Sequence, residues 1–205
     1  MYARVTRLEV PLDKMDRDIA LNDATARSVT DAGGLGMYYL TDRETGRANA
    51  ISLWPSEQAM HDSEALAETN KQQRIAETSA NVVSVERYEV VVEPATLPSG
   101  KMPYARVSRY EVPAEKREED ISHAEETKEK VASMPGSLGL YYLADRASGK
   151  TMSITLWESE QAMRDSETSA SQLRAQTSGA VSARITGIER YEVVYQPAAM
   201  PAART

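Results

Sequence analysis

The chain of 205 residues has no cysteine and no phenylalanine, two histidines (His61 and His123) and two tryptophans (Trp54 and Trp157). Without cysteine there is no disulfide, no thiolate metal site and no cysteine nucleophile, and two histidines are too few for a multi-histidine metal cage. No apolar run approaches the ~18 residues of a membrane helix. The start, MYARVTRLEV, alternates instead of offering an apolar core segment, so the expected compartment is the cytoplasm. A formal net charge of -7, with no local Lys/Arg cluster to reverse it, repels phosphate backbones and argues against nucleic acid as a partner. No residue pattern calls for a cofactor or a metal.

What is present is repetition. Arg-Tyr-Glu-Val occurs at residues 87–90, 109–112 and 190–193, with the near-copy Arg7-Leu8-Glu9-Val10. GLGMYYLTDRETG aligns with SLGLYYLADRASG, and ISLWPSEQAMHDSE with ITLWESEQAMRDSE, so the chain reads as a tandem duplication. The expected division is residues 1–93, a Pro-bearing linker at 94–103, residues 104–197 and a tail at 198–205.

Each copy follows one pattern. In the first, YARVTRLEV alternates as a strand ended by Pro11. Met15, Ile19, Ala20, Ala26 and Val29 fall at helical spacing from about 13 to 31, and Gly33-Gly34 stops the helix. A hairpin follows, 35–41 and 48–54 around a turn at 43–46, then a helix capped by Ser56 and a last strand at 82–92. The order βαββαβ implies an α+β, ferredoxin-like domain whose first strand lies between the third and fourth. On that arrangement the repeated tetrapeptide reads as a charge ladder, Arg7 facing Glu89, Glu9 facing Arg87, Arg109 facing Glu192 and Glu111 facing Arg190. A charged lumen that binds a polar ligand is the alternative reading.

On the third strand Ile51 and Leu53 alternate with Ala50, Ser52 and Trp54, as Ile154 and Leu156 do with Ser153, Thr155 and Trp157. If the apolar pair meets the helices, the small set ending in Trp faces away from them and leaves room for a ligand cavity. Pairing the hairpin accordingly turns Tyr38 and Tyr141 toward that cavity and Tyr39 and Tyr142 toward the helices; a slip of one residue swaps them. The candidate ligand-binding residues are therefore Trp54, Trp157, Tyr38, Tyr141 and Ser153, with the indole N–H groups as donors. His61 reads as exposed surface. His123, among Glu118, Glu119, Asp120, Glu125 and Glu126, reads as part of a solvated helix face.

The stretch MPGSLGLYYLADRASGKTMSITLWESEQAMRDSE, above all Trp157-Glu158-Ser159-Glu160-Gln161-Ala162 and the weaker Trp54-Pro55-Ser56-Glu57-Gln58-Ala59, resembles the antibiotic biosynthesis monooxygenase family. The resemblance implies two tandem ferredoxin-like domains packed sheet to sheet, an intramolecular version of a dimeric α+β barrel. Whether whole chains associate further stays open. It also implies an aromatic substrate oxidised by O₂ without a cofactor, or haem degradation as in other relatives. The polar equipment departs from that pattern. The Asn expected four residues before the Trp is Ala50 or Ser153, and the Tyr expected six after it is Met60 or Met163. Neither first strand holds the Asn of the haem-degrading relatives. The resulting expectation is a binder of a small hydrophobic or aromatic molecule, with cofactor-independent oxygenation of a polyketide-like substrate as the alternative.

Overall fold

The computed structural model describes residues 1–94 and 103–197; the expected linker, Pro94 and Pro103 apart, and the expected tail lie outside them. The fold is α+β, and each copy contributes the order βαββαβ with its helices broken into short segments. The first copy runs β1 (Tyr2–Glu9), α1 (Met15–Ala20), α2 (Asn22–Asp31), β2 (Gly36–Thr41), β3 (Arg47–Trp54), α3 (Glu57–Asp62), α4 (Glu64–Thr78) and β4 (Asn81–Val92). The second runs β5 (Tyr104–Glu111), α5 (Arg117–Ser122), α6 (Ala124–Ala132), β6 (Ser137–Ala144), β7 (Lys150–Trp157), α7 (Glu160–Asp165), α8 (Glu167–Ala180) and β8 (Arg184–Tyr195). Ser56 and Ser159 cap α3 and α7 by accepting from the amides of Ala59 and Ala162, each at 3.1 Å.

The chain divides into two compact units, Met1–Arg87 with Val193–Thr205, and Tyr88–Glu192. In the first, β1 pairs antiparallel with β3 and β3 with β2. Leu8, Val10, Met15, Met37 and Tyr39 form its core, and Val194 and Tyr195 pack against it. In the second, β5 lies between β7 and β8, β6 pairs with β7, and the end of β4 pairs with β6, Glu89 opposite Ala144.

Both hairpin turns demand glycine. Gly46 and Gly149 sit at φ +77° and +79°, and a Cβ there would lie 2.3 and 2.4 Å from the carbonyl oxygens of Val10 and Val112. The closeness follows from the bonds that Val10 and Val112 donate to the glycine carbonyls, at 2.7 and 2.8 Å. Gly149→Ala combines a left-handed backbone with a backbone clash, so a loss of about 1–3 kcal/mol is expected, read as a lower midpoint in chemical unfolding.

In the second copy the charge ladder is overturned. Each last strand has 12 residues against 8 in the first, so antiparallel pairing sets the end of β8 against the start of β5. Glu192 lies opposite Tyr104, Arg190 opposite Arg106, and Arg109 opposite Gly187. The charges find other partners: Arg109 with Glu189 at 3.2 Å, Glu111 with Arg184, Arg190 with Glu167 at 2.8 Å, Arg87 with Glu64 at 2.8 Å and Glu89 with Arg146 at 2.6 Å. The tetrapeptide marks strand ends; Arg87 and Arg190 reach back to the start of the long helix of their own copy, whereas Arg109 pairs along the sheet with Glu189.

Candidate functional site

Each unit holds a cavity between its own sheet and its own helices. The first encloses about 610 Å³ and the second about 710 Å³, counting the open mouths. Trp54, Ser52 and Ala50 line the first from β3, and Trp157, Thr155 and Ser153 line the second from β7. The face expected to turn from the helices is thus the one that meets them. Apolarity could not choose between the faces because both are buried: Ile51 is 3% exposed and Leu53 1%, while Trp54 is fully covered. Trp54 packs with Val29 of α2 and Met60 of α3, which fixes it on the helix side.

The hairpin register follows the slipped alternative. Tyr39 pairs with Ala50 and Tyr38 with Ile51; Tyr142 pairs with Ser153 and Tyr141 with Ile154. Tyr39 and Tyr142 still point to the helices, because the slip and the reversal of the strand faces cancel. Tyr38 and Tyr141 are buried on the opposite strand face and line neither cavity. Of the five candidate residues, Trp157 and Ser153 come together in the second cavity and Trp54 sits in the first.

The tryptophans are anchored rather than free to donate. Trp54 Nε1 donates to Ser52 Oγ and Trp157 Nε1 to Thr155 Oγ1, both at 2.9 Å, so the indole N–H is spent within its own strand. Behind each indole lies a buried arginine of the first strand, Arg4 at 5.6 Å and Arg106 at 5.3 Å from guanidinium carbon to ring centre. Arg106 donates to the Met163 carbonyl and, at 3.1 Å, to Ser166 Oγ, and pairs with Glu167 at 3.0 Å. Its Nε and Nη1 make no hydrogen bond, and burial, opposed by Glu167, lowers its pKa to about 10. Burial acts upward on Glu64 and Glu167, yet hydrogen bonds from Arg87 and Arg4, and from Arg190 and Arg174, hold both carboxyls below the ordinary glutamate value.

The floors of the two cavities differ. In the first unit Asp18 is fully buried: Arg74 Nη1 donates to its Oδ1 at 2.6 Å and to its carbonyl at 2.9 Å, and the Tyr39 hydroxyl donates to Oδ2. Arg74 Nη2 reaches Asn22 Oδ1 at 2.9 Å, and its guanidinium lies 4.7 Å from the Tyr39 ring centre. In the second unit the carboxylate and phenol recur as Asp120 and Tyr142, bonded at 2.7 Å, with Thr151 Oγ1 3.2 Å from the phenol. The arginine does not recur. Thr177 stands as far after Trp157 as Arg74 does after Trp54, and Arg174 turns to Glu167 at 2.5 Å.

Asp120 therefore lines the second cavity, with Tyr142, Tyr110 and His123 beside it. Burial raises its carboxyl above the ordinary aspartate value, against the opposing pull of Tyr142 and His123. Burial also raises Tyr142, and raises Tyr110 although Ser153 and Ser108 hydrogen-bond to it. His123 is half-buried in the cavity wall rather than on a solvated face, and Glu119 and Glu126 point to Lys116 and Lys130. His61 is exposed. Among the described residues no group of three or more His, Asp or Glu is placed to hold a metal, and no helix is long and apolar enough to cross a membrane.

Sequence reasoning missed Asp120, Tyr142, Arg106 and Arg74 as cavity components. The available signal was the recurrence of Asp18 and Tyr39 in the second copy beside the non-recurrence of Arg74.

Residues 103–178 match the model of the antibiotic biosynthesis monooxygenase family. An uncharacterized protein of Mycobacterium tuberculosis strain H37Rv is 26% identical over 178 residues, covering 85% of this chain and 79% of its own length. A putative monooxygenase from Fusobacterium nucleatum superposes with a TM-score of 0.69 at 16% identity, covering 94% of this chain and 90% of that one. An anthrone oxidase-like protein superposes at 0.66 and 17%, covering 95% and 92%. A haem-degrading enzyme from Listeria monocytogenes does so at 0.54 and 9%, covering 94% and 99%. At these identities the structural likeness is one of fold.

Proposed function

From an antibiotic biosynthesis monooxygenase domain at residues 103–178, we propose that the protein binds a small hydrophobic or aromatic molecule in the cavity between helices and sheet. The observation that carries this reading is the recurrence of one built cavity in both units, each walled by an indole that its own strand and a buried arginine hold in place. A concave, largely apolar site with a few fixed polar groups suits such a ligand. The molecule works in the cytoplasm, without a cofactor.

Two tryptophans, one per cavity, make the test direct. Trp54→Phe and Trp157→Phe each leave a single reporter. Titration with anthrone and related three-ring aromatics is expected to change the emission of both variants saturably. No saturable change in either removes the binding reading.

Cofactor-independent oxygenation is the second reading, favoured by the carboxylate that lines the second cavity. Ala50 and Ser153, with Met60 and Met163, stand where the resemblance calls for Asn and Tyr, and loss of one positioned donor typically costs about 10² to 10³ in rate. Oxygen uptake with anthrone is therefore expected to be weak; rapid uptake abolished by Trp157→Phe would make oxygenation the primary reading.

A further inference from the structure

The two copies have diverged at one point in a way that changes what each cavity can do. In the first, Asp18 is closed into a cluster with Arg74, Tyr39 and Asn22 and does not line the cavity. In the second, Asp120 keeps the phenol of Tyr142 on Oδ2, no described side chain takes Oδ1, and the carboxylate lines the cavity. No arginine or lysine among the described residues forms an ion pair with Asp120.

We propose that the second cavity alone is a proton-accepting site, in which Asp120 Oδ1 receives the O–H of a hydroxyl carried by the bound aromatic molecule. This rests on the binding reading above and narrows its ligand class to phenols and enols. Tyr142 is a positioning residue: its hydroxyl, set by Thr151, fixes the carboxylate and leaves one oxygen for the ligand. When the proton transfers, the O–H electron pair stays on the ligand oxygen as a phenolate or enolate and Asp120 becomes a neutral acid. His123 lines the same cavity.

The groups facing Asp120 set the pH range. Tyr142 from β6 and Tyr110 from β5 stay neutral, His123 lies just beyond it along the chain, and the cations lining the cavity are Arg174 of α8 and Arg106 of β5, both engaged with Glu167. Acceptance from a hydroxyl needs the ionised carboxylate, so it is lost as pH falls through the raised Asp120 value. It is lost again at high pH, where the ligand's own hydroxyl ionises and meets a like charge.

The test compares 2-naphthol with 2-methoxynaphthalene, which share a skeleton and differ in the acidic proton. In Trp54→Phe, where Trp157 alone reports, 2-naphthol is expected to bind about 10- to 100-fold more tightly, the worth of a hydrogen bond to a charged group. Asp120→Asn keeps the shape and the Tyr142 bond, and is expected to reduce the preference to about twofold or less. Thr177→Arg, which rebuilds the first copy's cluster in the second, is expected to abolish the preference while leaving the carboxylate in the sequence. The preference in the parent should also collapse at acid pH, which a merely structural Asp120 would not produce. Equal binding of both compounds by the parent overturns the inference and leaves the binding reading standing; so does a preference that survives Asp120→Asn. Failure of both compounds to bind overturns the inference, and silence of anthrone as well, in both single-tryptophan variants, removes the binding reading itself.

Discussion

Arg74→Met should destabilise the protein by about 3–5 kcal/mol, the cost of leaving a buried carboxylate without its partner. Asp18 has no exposed surface, Arg74 is 5% exposed, and the pair is joined at 2.6 Å with Tyr39 and Asn22 completing the cluster. For a chain of this size that loss corresponds to roughly 6–20 °C in melting temperature. Asp18→Asn should also destabilise, since Arg74 then stays charged and buried. The counterpart in the second unit should respond with the opposite sign. Burial raises Asp120, so the folded state holds that proton more tightly than the unfolded chain. The sign follows from linkage: the contribution is most favourable below the ordinary aspartate value of about 4 and declines as pH rises through the raised folded value. At neutral pH the ionised Asp120 is a net cost, and Asp120→Asn should raise the melting temperature. A fall with Asp120→Asn as large as with Asp18→Asn would show that both carboxylates are structural.

That opposition also shows what could be read from the sequence. Strand and helix positions were legible because period-2 alternation, Pro11, Gly33-Gly34 and Ser56 each act within a few residues of the chain. The likeness of the two halves was legible because the hairpin and the segment after Trp54 and Trp157 are nearly the same letter for letter. The side facing the helices was not, because Ile51, Leu53 and Trp54 are all buried and burial alone does not distinguish two covered faces of a strand. The partners of the repeated Arg-Tyr-Glu-Val were not, because register depends on strand lengths and on the shift between Arg109 and Tyr110. The alternation placed Trp54, Trp157 and Ser153 on one strand face, and that face lines the cavities, on the helix side rather than the side expected. Asp120 and Tyr142 were not legible, because their meaning lies in a long-range relation: a helix residue facing a strand residue, with Arg74 of a second helix present in one copy and replaced by Thr177 in the other. Reading one copy against the other exposes that difference, whereas reading each copy for motifs does not.

Trp157→Ala should cost about 3–5 kcal/mol in stability, at the upper range for a large core truncation. The indole is fully covered, and it does more than fill space. Arg106 lies 5.3 Å from its ring centre with Nε and Nη1 unbonded, so the ring's negative face is the nearest compensation for that part of the guanidinium. Removing the indole leaves a void on the cavity side and an under-solvated cation behind it. Burial already lowers the Arg106 pKa to about 10, and loss of the ring leaves Glu167 as its remaining counter-charge. Trp157→Phe keeps an aromatic face over Arg106 and gives up the N–H bond to Thr155, so its cost should be nearer 1 kcal/mol, the net worth of a typical hydrogen bond. Thermal unfolding of the two variants against the parent separates the contributions. If Trp157→Ala and Trp157→Phe lose equal stability, the covering of Arg106 contributes nothing and the indole serves only the cavity; if Arg106→Met removes most of the additional loss in the alanine background, the stacked pair is the element that holds the cavity wall in place.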